Sequence, residues 1–461
     1  APVVGQSYRC SCLGLHLDHG MIPPKPGARE ARVSLWRYWR LFQRDILSAQ
    51  PERLYRAKMA EFRTPFFRSF LINDPALVRR VLIDAPKAFP KSERVIRGLN
   101  ILLGQSVFVT NGALWERQRR IIDPAFEGGR VKERFDAMLA AAEAAADRVD
   151  PGRVDVEALA SHATADVIFR TLFSIPIEDD IAAKTFAAFR AFQRSQPVAI
   201  LSALIPWWPV RHKRATRAAA KELRALITEL VAKRQAEIDA GTAPDDLATK
   251  IMTTPDPETG ACFTRSEMVD QVSIFFLAGH ETSASLLGWA LWCLAASPEH
   301  GAQVAEEGRA FMCAPDFAGL SQMPVTRNVL RETLRLYPPV PMMVREATTA
   351  HTFRKREVRP GSQIVISPWH LGRHADAWED PDAFRPERWD AKPAREAYLP
   401  FSAGPRVCPG AAFAMAEGAI LLAALMARFS FERAETPVPV AHLTTRAKDG
   451  IFLSVSKREL S

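Results

Sequence analysis

Two long apolar runs dominate the pattern of hydrophobic and polar positions along the chain. Residues 411–429 are nearly all apolar, and the run is about long enough to span a bilayer. It contains Glu417 and follows directly on a Gly/Pro-rich loop, so the pattern predicts a fully buried core helix instead. Residues 273–296 are similarly apolar but are broken by Gly279, His280 and Glu281. Upstream, Thr264-Arg-Ser-Glu267 has capping-box spacing, in which threonine and glutamate satisfy each other's backbone donors. A helix from there to Pro298 would be about 50 Å long, enough to cross the whole molecule. A third helical run reaches Leu336, where Pro338-Pro339 stops it. Short strands are predicted near residues 66–72 and 363–367, with a weaker one around 450–455. The pattern predicts a single mainly α domain over residues 1–461 with a small β-rich lobe, and no repeat or low-complexity tract interrupts it.

Composition narrows the class. A chain of 461 residues at 48% hydrophobic buries a large core. The six cysteines include no Cys-x-x-Cys pair and no histidine-spaced cluster, which argues against zinc and a disulfide framework and suits a reducing cytoplasm. The first Met is Met21, and the residues before it contain no apolar run. They are expected to be a flexible extension, 1–21, with neither signal peptide nor anchor helix.

The chemistry concentrates in a decapeptide, Phe401-Ser-Ala-Gly404-Pro-Arg406-Val-Cys408-Pro-Gly410. It sets one cysteine in a tight turn at the start of an apolar helix. A thiolate held rigidly there suits a single axial bond to haem iron. Gly404 and Gly410 are expected to permit backbone angles and close approach that a Cβ forbids. In the long central helix, Ala278-Gly279-His280-Glu281-Thr282-Ser283 places an acid beside an alcohol. The Thr282 hydroxyl can bond the Ala278 carbonyl one turn back and open a notch in the helix ladder. Glu332 and Arg335 share a helix face, which alone is worth only ~0.2–0.5 kcal/mol.

In order along the chain, Trp115-Glu-Arg-Gln-Arg119, Ala278–Ser283, Glu332–Arg335, Phe384-Arg-Pro386-Glu-Arg388-Trp389 and the Cys408 loop resemble the five signatures of the cytochrome P-450 family. The resemblance covers roughly residues 22–461 with no departure at a chemical position. It implies that family's fold, a haem b cofactor with Cys408 as axial metal ligand, and proton delivery through Thr282 and Glu281. It further implies a structural cluster of Glu332, Arg335 and Arg388, and haem propionates held by Trp115, Arg119, Arg345 and Arg406. Ala278, Gly279, Phe401 and Gly410 would complete the cofactor pocket, with His280 tuning the relay. The implied activity is a monooxygenase that hydroxylates a C–H bond of a lipophilic small molecule with O2. A peroxygenase, or a haem-thiolate binder or sensor on the same fold, is the alternative.

No Gly-rich dinucleotide fingerprint and no Cys₄ cluster is present, so electrons are expected from a separate ferredoxin and its reductase, or from a flavodoxin. The net charge of +9 suits an acidic partner, with Arg117, Arg120, Arg130 and Lys132 as candidate contacts. A monomer without nucleic acid is expected. By family position, Val95, Ile96, Leu99, Phe275, Met342, Met343 and Phe452 give an apolar substrate lining. Trp207 and Trp208 beside Arg211–Arg214 form an expected entrance loop, where core packing is favoured over contact with a membrane surface.

Overall fold

A computed structural model describes residues 21–30, 33–63, 67–127, 129–195, 212–391 and 395–459. The expected entrance-loop tryptophans, Trp207 and Trp208, lie outside the described residues, as do residues 1–20.

The central helix is built as its sequence dictates. Thr264 and Glu267 close a reciprocal capping box at its start. The helix then runs α over Arg265–Phe275, makes one π turn over Phe276–His280, and resumes α over Glu281–Ala296. Its last section is buried on nearly every side, from Ser283 through Leu294, the mark of a helix at the centre of a large core. Val156–Phe173, Pro324–Leu336 and Ala411–Arg428 pack around it. Ala411–Arg428 is, among the described residues, the one helix long and apolar enough to cross a membrane, and it lies in the middle of this core. It ends one residue earlier than its pattern predicts, because Phe429 opens a strand, Phe429–Arg433.

The sheets lie around this helical body. Four strands pair in the order Met59–Arg63, Arg68–Ile72, Gln363–Ile366, Met343–Glu346. The two middle strands are parallel, as a pair brought together across nearly 300 residues can be. The predicted last strand forms two residues downstream, at Phe452–Lys457, between Phe429–Arg433 and Gly152–Asp155. Pro439–Ala441 and Thr445–Ala447 form a separate two-stranded hairpin. Met59–Arg63 carries little β propensity of its own, and its pairing with Arg68–Ile72 makes it a strand.

Candidate active site

The Cys408 loop is a narrow turn fastened at both ends. The Cys408 N–H donates to the Phe401 carbonyl at 2.9 Å, and the Val407 N–H to that of Gly404 at 3.0 Å. Gly404 has φ +70°, and a Cβ there would come within 2.0 Å of the Leu82 carbonyl oxygen, so only glycine fits. Gly410 differs from expectation: its φ is −84°, and a Cβ would meet the Cys408 sulfur at an ordinary 3.9 Å. Its lack of a side chain leaves room beside the sulfur and is not a backbone necessity. Cys408 is exposed, yet enough protein surrounds the sulfur that desolvation pushes the thiol up, against the Gly410 N–H and the Arg119 charge. A bound cation is what would turn this thiol into a thiolate.

Beside the loop, four cations converge. Asn111, the residue before helix Gly112–Ile122, bonds both the N–H and the carbonyl of Lys91, at 3.0 Å each, and accepts from Arg406 Nη2 at 2.9 Å. Lys91 also bridges Arg345 across the backbone. Arg119 donates to the Val407 carbonyl at 2.8 Å, and the Arg406 guanidinium lies 4.1 Å above the Trp115 ring. Burial, with the charges of Arg345, Arg406 and Arg119, holds Lys91 well below its usual range. Burial likewise lowers Arg345 to about 10, and burial with Arg345 and Arg119 lowers Arg406 to about 10. Among the described residues only Arg119 has an acidic partner here, Asp123 at 2.7 Å. An anionic ligand would favour the charged form of every member of this group. Lys91 has no motif of its own, and its place in this group was not legible from the sequence.

The π turn of the central helix falls where the notch was expected. Thr282 donates its hydroxyl to the Ala278 carbonyl at 2.5 Å, and Thr164 donates to the carbonyl of His280 at 3.1 Å, so side chains satisfy the loosened ladder. Ala278 is exposed, between buried Leu277 and half-buried Gly279. Gly279 also packs against the adjoining helix: a Cβ would come 2.5 Å from Ile168 Cδ1. His280 is buried, bonded to Ser161 at 2.9 Å and flanked edge-on by Phe186 and Phe189. Desolvation, with the Arg446 charge, lowers it to about 3, so it is neutral. The side chains of Thr282 and Glu281 part company. Glu281 turns to the C-terminal hairpin and accepts from Thr444 Oγ1 and Arg446 Nη2, both at 2.5 Å.

The cytochrome P450 family model matches residues 47–455. A cyclooctat-9-en-7-ol 5-monooxygenase of Streptomyces melanosporofaciens is 32% identical over 83% of this chain and 83% of its own length. Cyclooctatin synthase of the same organism is 30% identical over 82% of this chain and 83% of its own. The chloroplastic protein LUTEIN DEFICIENT 5 of Arabidopsis thaliana is 29% identical over 85% of this chain and 71% of its own. The chain belongs to the cytochrome P450 family. It is a P450 monooxygenase, its cofactor is haem, and it uses O2 and takes electrons from a redox partner. The residues present fit haem: a soft sulfur donor and a cation group suited to two carboxylates stand side by side.

The structural cluster of this P450 is complete. Arg335 grips Glu332 with two parallel bonds, at 2.7 and 2.9 Å. Arg388 Nε, Trp389 Nε1 and the Arg385 N–H add three more, at 3.0, 3.0 and 2.9 Å. Burial alone would raise Glu332; the charges and bonds of Arg335, then Arg388 and Arg385, outweigh it and hold the carboxyl below its usual range. Arg335 also donates to the carbonyls of Gly372, Pro381 and Ala383, tying the helix to the segment before the cysteine loop.

The expected substrate lining divides. Ile96, Leu99, Phe275 and Met342 are partly buried against the main core. Met343 packs with the four-stranded sheet, and Val95 is exposed. Phe452 lies apart, in the three-stranded sheet with its ring 3.8 Å beneath the Arg153 guanidinium. The expected basic docking face is largely spoken for. Arg117 pairs with Glu267, Arg120 with Asp256 and Glu258, and Arg130 with Glu133. Composition counts these charges but cannot show that they are neutralised within the chain. Nearer the cysteine, Val407 and Ile83 are exposed apolar side chains.

Proposed function

We propose that this P450 hydroxylates a lipophilic small molecule, with Cys408 as the axial ligand of haem iron. The cation group of Lys91, Arg119, Arg345 and Arg406 carries this assignment, because such charge beside a cysteine turn calls for the two carboxylates of haem. Trp115 stacks on Arg406 and fixes it, and Phe401 holds the Cys408 backbone in place. Bound there, haem supplies O2 activation and the oxidation of a C–H bond. Thr282 is the hydroxyl that passes protons, and Glu281 is the acid that resupplies it. Ala278 keeps the helix wall beside them low.

Apolar side chains of Ile96, Leu99, Phe275 and Met342 support a lipophilic substrate, as do the names of the two Streptomyces relatives. A ferredoxin with its reductase is the proposed electron source, in a reducing cytoplasm; all four described cysteines are free thiols. With Arg117, Arg120 and Arg130 internally paired, docking rests on Lys132 and the apolar pair Ile83 and Val407. Reduction by ferredoxin should then slow only mildly as salt is added.

The deciding test is the absorption spectrum of dithionite-reduced protein with and without carbon monoxide. A strongly red-shifted Soret band, absent in Cys408→Ser, is the expected result. A band of the histidine-ligated type would overturn the Cys408 assignment.

A further inference from the structure

A groove of about 390 Å³ lies between helix Glu93–Leu103 and helix Arg214–Asp239, and its lining includes none of the motif residues. Its floor is apolar, with half-buried Ile101 from the first helix and buried Ala220 from the second. Its rim is basic, with Arg217, Lys221 and Arg224. Together with Arg214 these cations recur at three- and four-residue spacing, so they form one stripe along the helix, and like charges so placed repel. Among the described residues only Arg224 of the four has an acidic partner, Asp270 at 2.7 Å. That pair also fixes one end of the groove. Arg224 Nη1 donates to the Leu102 carbonyl at 2.7 Å and ties the second helix to the last turn of the first. Asp270 accepts the Gln105 N–H at 2.8 Å and packs tightly on the turn: a Cβ at Gly104, where φ is +51°, would come within 2.1 Å of it. Asp270 is thus engaged by Arg224 and Gln105, and Arg217 and Lys221 stand exposed beside an apolar floor.

We propose that this groove binds the carboxylate end of an amphipathic organic acid. Arg217 takes the carboxylate with its planar fork, Lys221 adds its charge, and the first carbons of the chain lie over Ile101 and Ala220. A bare anion would have no use for the floor, and a neutral lipophile none for the rim. The helix that supplies Ile101 also carries Ile96 and Leu99 of the proposed apolar lining, so one helix serves both the head and the substrate site. The site thereby deepens the reading of a lipophilic substrate by giving that substrate an acidic head. That the bound acid is the substrate rests on that reading; the binding itself rests on the groove.

The test uses haem-loaded full-length protein and two probes with the same chain, dodecanoate and dodecanol, at about pH 8, where a carboxylic acid is ionised. Calorimetry gives the Kd of each. Dodecanoate should bind the more tightly, and added salt should narrow the difference. Arg217→Gln combined with Lys221→Gln should weaken dodecanoate about fivefold, the scale of two solvent-exposed ion pairs, and leave dodecanol unchanged. Lys221→Arg keeps the charge and should bind as the wild type does. Equal affinity of the wild type for the two probes, or an equal loss of both in the double variant, would overturn the groove. The Soret band of the ferric protein is the second readout, because a substrate that reaches haem shifts its spin state. If both probes move the band with equal affinity, the lipophilic reading stands and the groove falls. If dodecanoate keeps its advantage, loses it in the double variant and neither probe moves the band, the groove stands and the acid it holds is not the substrate.

Discussion

Glu332 and Glu281 are both buried glutamates facing arginine, and they are held in opposite ways. Glu332 has no exposed surface and receives five hydrogen bonds from four residues, spread over both oxygens. Glu281 receives two, both on one oxygen, from Thr444 in the hairpin turn and from Arg446, which is partly in water. The first is over-determined: losing one donor leaves four. The second can be undone by a small shift. Donor count and depth, not the presence of an arginine, thus separate a carboxylate fixed from many sides from one held at a single oxygen.

The largest break in this comparison comes from Glu332→Ala. It strands the Arg335 guanidinium, with Arg388 and Trp389, in the core without their acceptor. A buried pair broken from one side costs about 3–5 kcal/mol. The denaturant midpoint of the haem-loaded protein should fall accordingly, and a shift worth under ~1 kcal/mol would show that the cluster is not structural. Arg388→Lys tests the same site more gently. It keeps the charge and loses the planar fork, so the midpoint should move in the same direction by about 1 kcal/mol.

A third buried glutamate sharpens the contrast through pH. Glu417, in the helix after the cysteine loop, has one partner, the Ser283 hydroxyl at 2.8 Å, and burial pushes it up to about 8. A carboxyl raised in the folded state costs nothing below its unfolded value, near 4.5, where both states are protonated. As pH rises from there to about 8, the unfolded chain ionises freely while the folded one does not, and stability drains away. Glu417→Gln keeps the shape and the bond to Ser283 without the proton. It should match wild type near pH 4.5 and exceed it by about 4 kcal/mol at pH 8, read from denaturant midpoints. A gain that is equal at both pH values would mean Glu417 is ionised in place.

What the sequence could tell about these sites follows the range of the interactions. The capping box, the Thr282–Ala278 bond and the Glu332–Arg335 pair are all local, and each forms where its spacing predicts. Arg388 needed a family resemblance, because 56 residues separate it from Glu332. Lys91 and Arg446 had neither. Lys91 meets Arg345 only because two backbones bridge across more than 250 residues, and Arg446 meets Glu281 only because the last hairpin folds back on the central helix. Gly279 has a packing role that its motif does not show: a Cβ there would meet Ile168, on a helix the motif does not mention. The same gap explains Arg117 and Arg120, whose charges are visible in sequence and whose partners Glu267 and Asp256 are not.

The smallest stability effect belongs to Glu281→Gln. The amide keeps an oxygen for Thr444 and Arg446, and the lost attraction is that of a pair with one member 39% exposed. Its stability cost should stay under about 1 kcal/mol, so the denaturant midpoint should barely move. The peroxide formed per NADPH oxidised should behave otherwise. An amide cannot take up and release the proton that a carboxylate can, so this share should rise at every pH. Measured on one preparation, the two numbers separate the glutamates. Glu332→Gln should lose midpoint first, because its partners stay buried and charged. Glu281→Gln should keep its midpoint and lose coupling. A large midpoint loss in Glu281→Gln would place Glu281 with Glu332 as a fixed strut, and the difference drawn from donor count would no longer stand.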